Sequence, residues 1–387
     1  MKKDTKLTQL GRQVEHVPLT VSVPLHRAST VLFESMAQQH EIQRRWEKDE
    51  QVPTYGIFNM PQALALENAV AELEGGYRAV TYSSGLAAVG GALLACAKTG
   101  DHVLMPDSSY YPARRFAEKF LARFGVNTTF YDPLIGAGIG ALMQPNTSVV
   151  YTESPGSHTF EVQDIPAIAK VAHARGATVI LDNAWATGFF FNGFEHGVDL
   201  VVQPATKYYA AHSDVVIGLV IASEACWPQL KETTLHLGQR ASPDDSFLTL
   251  RGMRTLGVRL RRHQESALQI ARWLQTRPEV KRVLYPALEN DPGHALWTRD
   301  FTGAAGLFTI ELQPCSEAQL AAMMDHYQFF GLGYSWGGFE SLAIAAHFAR
   351  SVNRLPAGPL VRYNIGLEDP DDLIRDLEAG FERLRRA

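Results

Sequence analysis

Short, unbroken apolar runs alternate with longer amphipathic segments along most of the chain. The first sixty residues stand outside that pattern. Proline, glutamine and charge mix there without a sustained period, which predicts an extended arm of the kind that reaches a neighbouring subunit. From Pro61 the pattern changes: Leu64, Leu66, Val70 and Leu73 recur near helical spacing, Pro61 sits where a first turn tolerates it, and Gly75-Gly76 closes the run. Next come RAVTY then LAAVGGALLACA, HVLMP then ARRFAEKFLARFG, SVVYTES then IPAIAKVAHARG, and afterwards TVILD, DLVVQP and VVIGLVIAS. Runs this short and continuous predict strands buried on both faces, hence a mainly parallel α/β sheet flanked by helices. After the amphipathic LGVRLRRHQESALQIARWLQ, strands become sparser (VKRVLYP, AGLFTIEL, SLAIAAHF, VRYNIGL) and alternate with the helical SEAQLAAMMDHY and DDLIRDLEAGFERLRRA. This predicts an arm over 1–60, a large sheet domain over 61–256 and a smaller C-terminal α+β domain over 257–387.

Composition narrows the classes. With 387 residues, 46% hydrophobic and 20% charged, the chain reads as a folded globular protein with more than one core. A net charge of -5 gives no general attraction to phosphate backbones, so no nucleic-acid partner is expected. No apolar run approaches the roughly 18 residues of a membrane span and no apolar leader opens the chain, so the expected location is cytoplasmic, away from membranes. Cys96, Cys226 and Cys315 are odd in number, scattered and lack a CxxC pair, which argues against disulfides and zinc alike.

Four strand ends in the large domain carry polar residues. TYSSG (Thr81 to Gly85) leads into a helix whose free N–H groups favour an anion, although a serine before a helix is also an ordinary cap. VILDNAW ends a buried strand with Asp182, costly there unless paired, with capping of the next turn as the plainer reading. DSSYYP puts Tyr110 and Tyr111 at a third exit, as packing or as a ring to stack on a flat ligand. QPATKYYAAHSD supplies Lys207, and a desolvated lysine forms imines with aldehydes. Anion cradle, aromatic plate, carboxylate and lysine together match the needs of pyridoxal 5'-phosphate. His212 and Asp214 in the same stretch are too few for a metal site, and a hydrogen-bonded structural histidine is expected.

DNAWATG, ATKYYAAHSDVVIG, ESPGS, YSWGG and VRYNIGLED resemble the cysteine/methionine-metabolism family of pyridoxal-phosphate enzymes. DPLIGA, ESPGS, RDFTGAAGLF and YSWGGFESL most resemble the bacterial cystathionine β-lyases within it, and the similarity runs from about residue 10 to the end. The resemblance implies a fold type I, aminotransferase-like subunit in a homotetramer of two active-site dimers. It implies Lys207 as the lysine that joins the cofactor aldehyde, Asp182 on the pyridine nitrogen and Tyr110 stacked on the ring. Gly85 and Leu86 would offer backbone N–H groups to the phosphate and Thr206 a hydroxyl. Arg362 would hold the substrate carboxylate, Tyr334, Ser335 and Trp336 would line the substrate side, and Tyr55 would arrive from the partner subunit. The implied reaction is β-elimination from a sulfur amino acid, taking cystathionine to homocysteine, pyruvate and ammonia in methionine biosynthesis. A cysteine desulfhydrase, a γ-lyase or a β-lyase for a specialised thioether are the alternatives within the family. A binding protein that kept the fold and lost the chemistry would not need Lys207, Asp182, Tyr110 and Arg362 together. A nicotinamide dehydrogenase is disfavoured because no strand leads into the glycine fingerprint. Two positions depart from the family: Ile57 stands where many members carry a phosphate-gripping arginine, and Pro204 where a serine is frequent, which predicts weaker cofactor retention.

Overall fold

The computed structural model describes residues 1–12, 19–346, 348–353 and 357–387. Its centre is a seven-stranded sheet built from β1 (Arg78–Tyr82), β2 (His102–Pro106), β3 (Asn127–Tyr131), β4 (Thr147–Glu153), β5 (Thr178–Asp182), β6 (Leu200–Gln203) and β7 (Gly218–Ala222), in the spatial order β1-β7-β6-β5-β4-β2-β3. Strands β6, β5, β4, β2 and β3 run parallel, while β7 is antiparallel to both its neighbours.

Because strand side chains alternate between faces, the sheet feeds two separate cores. Val103, Met105, Val149, Ile180 and Val202 join Ala88, Leu93 and Leu230 on one side. Leu104, Val150, Val179, Leu181 and Val201 join Leu64, Leu66, Ile168 and Leu260 on the other. That two-sided burial is why these strands read as unbroken apolar runs.

A second sheet of β8 (Val280–Leu284), β9 (Leu307–Leu312), β10 (Gly331–Leu332), β11 (Leu342–Ala345) and β12 (Leu360–Asn364) has the order β10-β11-β12-β9-β8. The nineteen-residue helix Leu256–Leu274 connects the two sheets, and Pro370–Arg386 closes the chain. A tight clamp also joins them. Buried Asp107, just past β2, accepts from the Arg114 guanidinium at 2.7 Å and from the backbone N–H groups of Ser351, Val352 and Asn353 at 2.8 to 3.0 Å.

Three segments differ from expectation. The arm is not wholly extended: Lys3–Gln9 and Met36–Glu47 are helices. The first is too short for its period to register; it docks through Leu7 and through Lys3 Nζ, which donates to Phe189 O at 2.7 Å. The second is capped by the Ser35 hydroxyl, which accepts from Gln38 N, and buries none of its residues, so no apolar stripe announces it. ARRFAEKFLARF is not one α-helix. A turn at Tyr111–Arg115 widens into a π-turn over Phe116–Phe120 and tightens into a 3₁₀ turn over Leu121–Phe124. Strand β3 was unannounced because NTTFY lies on the sheet edge, half exposed and polar.

Candidate active site

Strands β1 and β6 are both antiparallel to β7 and therefore point the same way, together with β2, β4 and β5. Their carboxyl ends share one edge of the sheet, where ligands of such sheets gather.

At the exit of β1, Ser83-Ser84 leads into helix Gly85–Cys96. The Ser84 hydroxyl accepts from Ala87 N at 3.1 Å and its carbonyl accepts from Ala88 N at 3.0 Å, which satisfies the third and fourth N–H groups of the turn. The N–H groups of Gly85 and Leu86 precede these and point out of the helix end, where the dipole favours an anion. Close approach requires glycine here: a Cβ on Gly218 would lie 2.4 Å from Ser84 O, and one on Gly85 would lie 2.8 Å from Pro204 Cβ. Pro204 thus walls the cradle without offering a hydroxyl. Thr206 is turned away from it; its hydroxyl donates to Ile217 O at 3.0 Å and accepts from Ile217 N at 2.8 Å, so it reaches a phosphate only after rotating.

Asp182 ends β5, 4% exposed, and accepts from Ala184 N at 3.0 Å and from the Tyr151 hydroxyl at 3.3 Å. Burial outweighs these hydrogen bonds and the nearby Lys207 charge and lifts its carboxyl to about 6. Its register partner on β4 is a second buried carboxyl, Glu153, which accepts from Tyr110 N at 2.7 Å. Burial first, then the Asp182 charge, holds Glu153 well above the ordinary carboxylate range. Nothing in the ESPGS motif gives Glu153 a role; its place at the end of a strand buried at all but one position was the available signal. Through that bond it anchors the backbone of Tyr110, whose phenol is raised by burial and by Asp182 and Glu153, with Arg362 opposing.

Lys207 follows β6 in a turn and donates from Nζ to Ser335 Oγ at 2.6 Å, with Nζ 5.1 Å from the Trp336 ring centre. Burial lowers its ammonium to about 8; the Arg362 charge acts the same way and Asp182 opposes. Arg362, on β12, is 9% exposed and donates to Ser335 O at 2.9 Å, which leaves the rest of its fork for an anion. Ser335 has φ +76°, unusual for a residue with a side chain, and this turn brings both Ser335 and Trp336 toward Lys207.

The structure thus gathers Lys207, Asp182, Tyr110, Ser335, Trp336 and Arg362 around one cleft between the two sheets, with Gly85, Leu86 and Thr206 at the neighbouring strand exits. Two expected residues stand apart. Tyr334 precedes the Ser335 turn and is 92% exposed in the single chain. Tyr55 bridges Thr30 and Phe58 in the arm and is 48% exposed in its own subunit. Ile57, near it, lines a partly open pocket with Trp46, Glu67, Arg78 and Arg240. His212 is held through Nδ1 to Ala210 O at 2.7 Å.

The family model for Cys/Met metabolism PLP-dependent enzymes matches residues 4–382. The chain belongs to this family. It is 43% identical over 390 residues to the cystathionine beta-lyase of Salmonella typhimurium, covering 98% of each chain. It is 42% identical over 393 residues to that of Escherichia coli, covering 99% of each. Among solved structures, cystathionine gamma synthase from Xanthomonas oryzae pv. oryzae superposes with a TM-score of 0.89 at 29% identity, covering 100% of this chain and 99% of that one. The fold is fold type I of PLP-dependent enzymes, and the cofactor is pyridoxal 5'-phosphate. The cleft fits it: a helix end with two outward N–H groups for a phosphate, a buried carboxyl for a ring nitrogen, and a desolvated amine for an aldehyde.

Proposed function

We propose that this enzyme is a carbon–sulfur lyase that performs β-elimination on cystathionine, releasing homocysteine, pyruvate and ammonia. The observation that carries the proposal is the Lys207 ammonium, lowered by burial to about 8 and set between Asp182, Arg362 and the Ser335 hydroxyl. The names of the Salmonella and Escherichia relatives support the choice of substrate.

Lys207 would hold the aldehyde, and Asp182 the pyridine nitrogen. The bound cofactor supplies an electron sink for the α-carbon of the substrate. The Lys207 amine, when free, would take the proton from Cα, and Ser335 Oγ would keep that amine oriented. The Arg362 fork binds the α-carboxylate, which replaces the Ser335 carbonyl as its partner. Tyr110, its backbone fixed by Glu153, would cover the ring face. Gly85, Leu86 and, after rotation, Thr206 would hold the phosphate. Tyr55 serves a second copy, so we place the active unit as a dimer, paired into a cytoplasmic homotetramer, with the arm over 1–60, the cofactor domain over 61–256 and the C-terminal domain over 257–387.

Parallel product assays on L-cystathionine, L-cysteine and L-methionine, with added cofactor, test the reading. Pyruvate with homocysteine from cystathionine is expected. The appearance of 2-oxobutyrate instead would make the enzyme a γ-lyase, and sulfide from cysteine as the dominant product would make it a desulfhydrase.

A further inference from the structure

One buried acid lies outside the cleft and yet touches the segments that carry its chemistry. Helix Pro61–Glu74 is buried on nearly every side, and Glu67 and Glu74, seven residues apart, share one buried face with Ala63 and Val70. A carboxylate on such a face is costly unless its oxygens are fully used. Those of Glu74, 0% exposed, are used. Oε1 accepts from Gly188 N at 2.8 Å, Gln203 Nε2 at 2.9 Å and the Tyr209 hydroxyl at 2.5 Å, and Oε2 accepts from Asn183 Nδ2 at 3.0 Å.

The identity of those donors is what matters. Asn183 adjoins Asp182. Gln203 is the last residue of β6, and Tyr209 lies two residues past Lys207. Gln203 Nε2 also donates to Asn183 O at 3.2 Å, and Asn183 N to Val202 O at 3.0 Å, so the exits of β5 and β6 are tied to each other as well as to the acid. Glu74 ends its helix, and Gly75, left-handed at φ +82°, turns the chain away at once, which leaves the carboxylate aimed at the back of the cradle. Burial raises this carboxyl and the bonds from Tyr209, Gln203, Asn183 and Gly188 oppose that rise, since only its ionised form accepts all four donors without offering one.

We propose that Glu74 is a positioning residue, which sets the distance and angle between Lys207 and Asp182 from behind the sheet. The inference rests on the cofactor roles given to these two residues above. Its predicted signature is selective. Misplacing the amine relative to the ring slows proton transfer, while Arg362 on β12 still binds the carboxylate; kcat falls and KM holds.

The test compares holoenzyme of wild type, Glu74→Gln, Tyr209→Phe and Asp376→Asn. Asp376 serves as the structural control: a 5% exposed acid that accepts from Gln328 N and Phe329 N in the C-terminal region. Kinetics, thermal midpoint and the rate of cofactor release followed by visible absorbance are measured. Glu74→Gln is expected to lower kcat roughly 10–100-fold, hold KM within about twofold, and speed cofactor release. Tyr209→Phe, which removes one donor and leaves the acid in place, moves kcat and release the same way by less, and covers the case in which the Gln variant does not fold. Asp376→Asn moves only the thermal midpoint. The inference is overturned if kcat and cofactor release in the folded Glu74 and Tyr209 variants match wild type, or if Asp376→Asn reproduces their losses. If wild type itself shows no visible absorbance with pyridoxal 5'-phosphate, the cofactor roles fail, and this inference with them.

Discussion

The lowered Lys207 ammonium makes a prediction that can be read without substrate. In cofactor-free protein the group titrates at about 8 rather than 10.5. Near pH 7.5, about a quarter of the Lys207 amine is therefore free, against about a thousandth for an unperturbed lysine, a roughly 200-fold advantage in nucleophilic labelling. The sign for stability follows. Between about 8 and 10.5 the unfolded chain binds the proton and the folded chain does not, so stability rises with pH across that window. Below it the buried ammonium costs at most about 3 kcal/mol. The assay is competitive labelling with an amine-directed reagent over a pH series, quantified by peptide mass spectrometry, with exposed Lys119 as the internal reference. Arg362→Ala removes a repelling charge and shifts the Lys207 midpoint upward; Asp182→Asn removes an attracting one and shifts it downward. A Lys207 profile that superposes on that of Lys119 would refute the claim that burial, not sequence, makes this lysine reactive.

Other outcomes follow from the same geometry. Lys207→Ala loses both turnover and the visible absorbance of bound cofactor, checked by spectroscopy after reconstitution. Asp182→Asn keeps part of its cofactor but loses at least roughly 100-fold in kcat, because a neutral amide cannot hold the ring nitrogen protonated. Ile57→Arg slows cofactor loss during dialysis relative to wild type, and equal half-times would show that the missing cation is compensated elsewhere. At Asp107 burial alone would raise the carboxyl, but hydrogen bonds from Asn353, Arg114, Ser351 and Val352 outweigh it and hold the group well below its ordinary value. Its contribution is therefore present above about pH 4 and lost as acid reaches the folded-state value. Asp107→Ala should cost about 3 kcal/mol in denaturant unfolding at neutral pH, since it leaves buried Arg114 with only Glu118 and Ser351 and removes the acceptor of three backbone N–H groups, and should flatten the acid limb of the stability profile.

What could be read in advance was what depends on local burial. HVLMP, TVILD and VVIGLVIAS declare themselves as strands because both faces of each are covered over β2, β5 and β7, RAVTY does so as an edge strand that is still mostly apolar, and Pro61 with Gly75 brackets a helix because each obeys a backbone rule at that position. NTTFY did not, since its half-exposed edge position keeps polar residues, and neither did the helix at 36–47, which fully buries none of its residues and touches the rest of the chain through half-buried Trp46 against Phe58 and Lys231. Lys207, Asp182 and Arg362 were nameable from their motifs, but the strength of the first and the proton affinity of the second come from mutual burial across the two sheets. No residue type announces the left-handed turn at Ser335. Glu74 is the clearest case. Its donors lie 109 to 135 residues away along the chain, so a carboxylate that sequence alone presents as one more charge on a helix becomes a fourfold acceptor only once β5, β6 and the Lys207 turn converge on it.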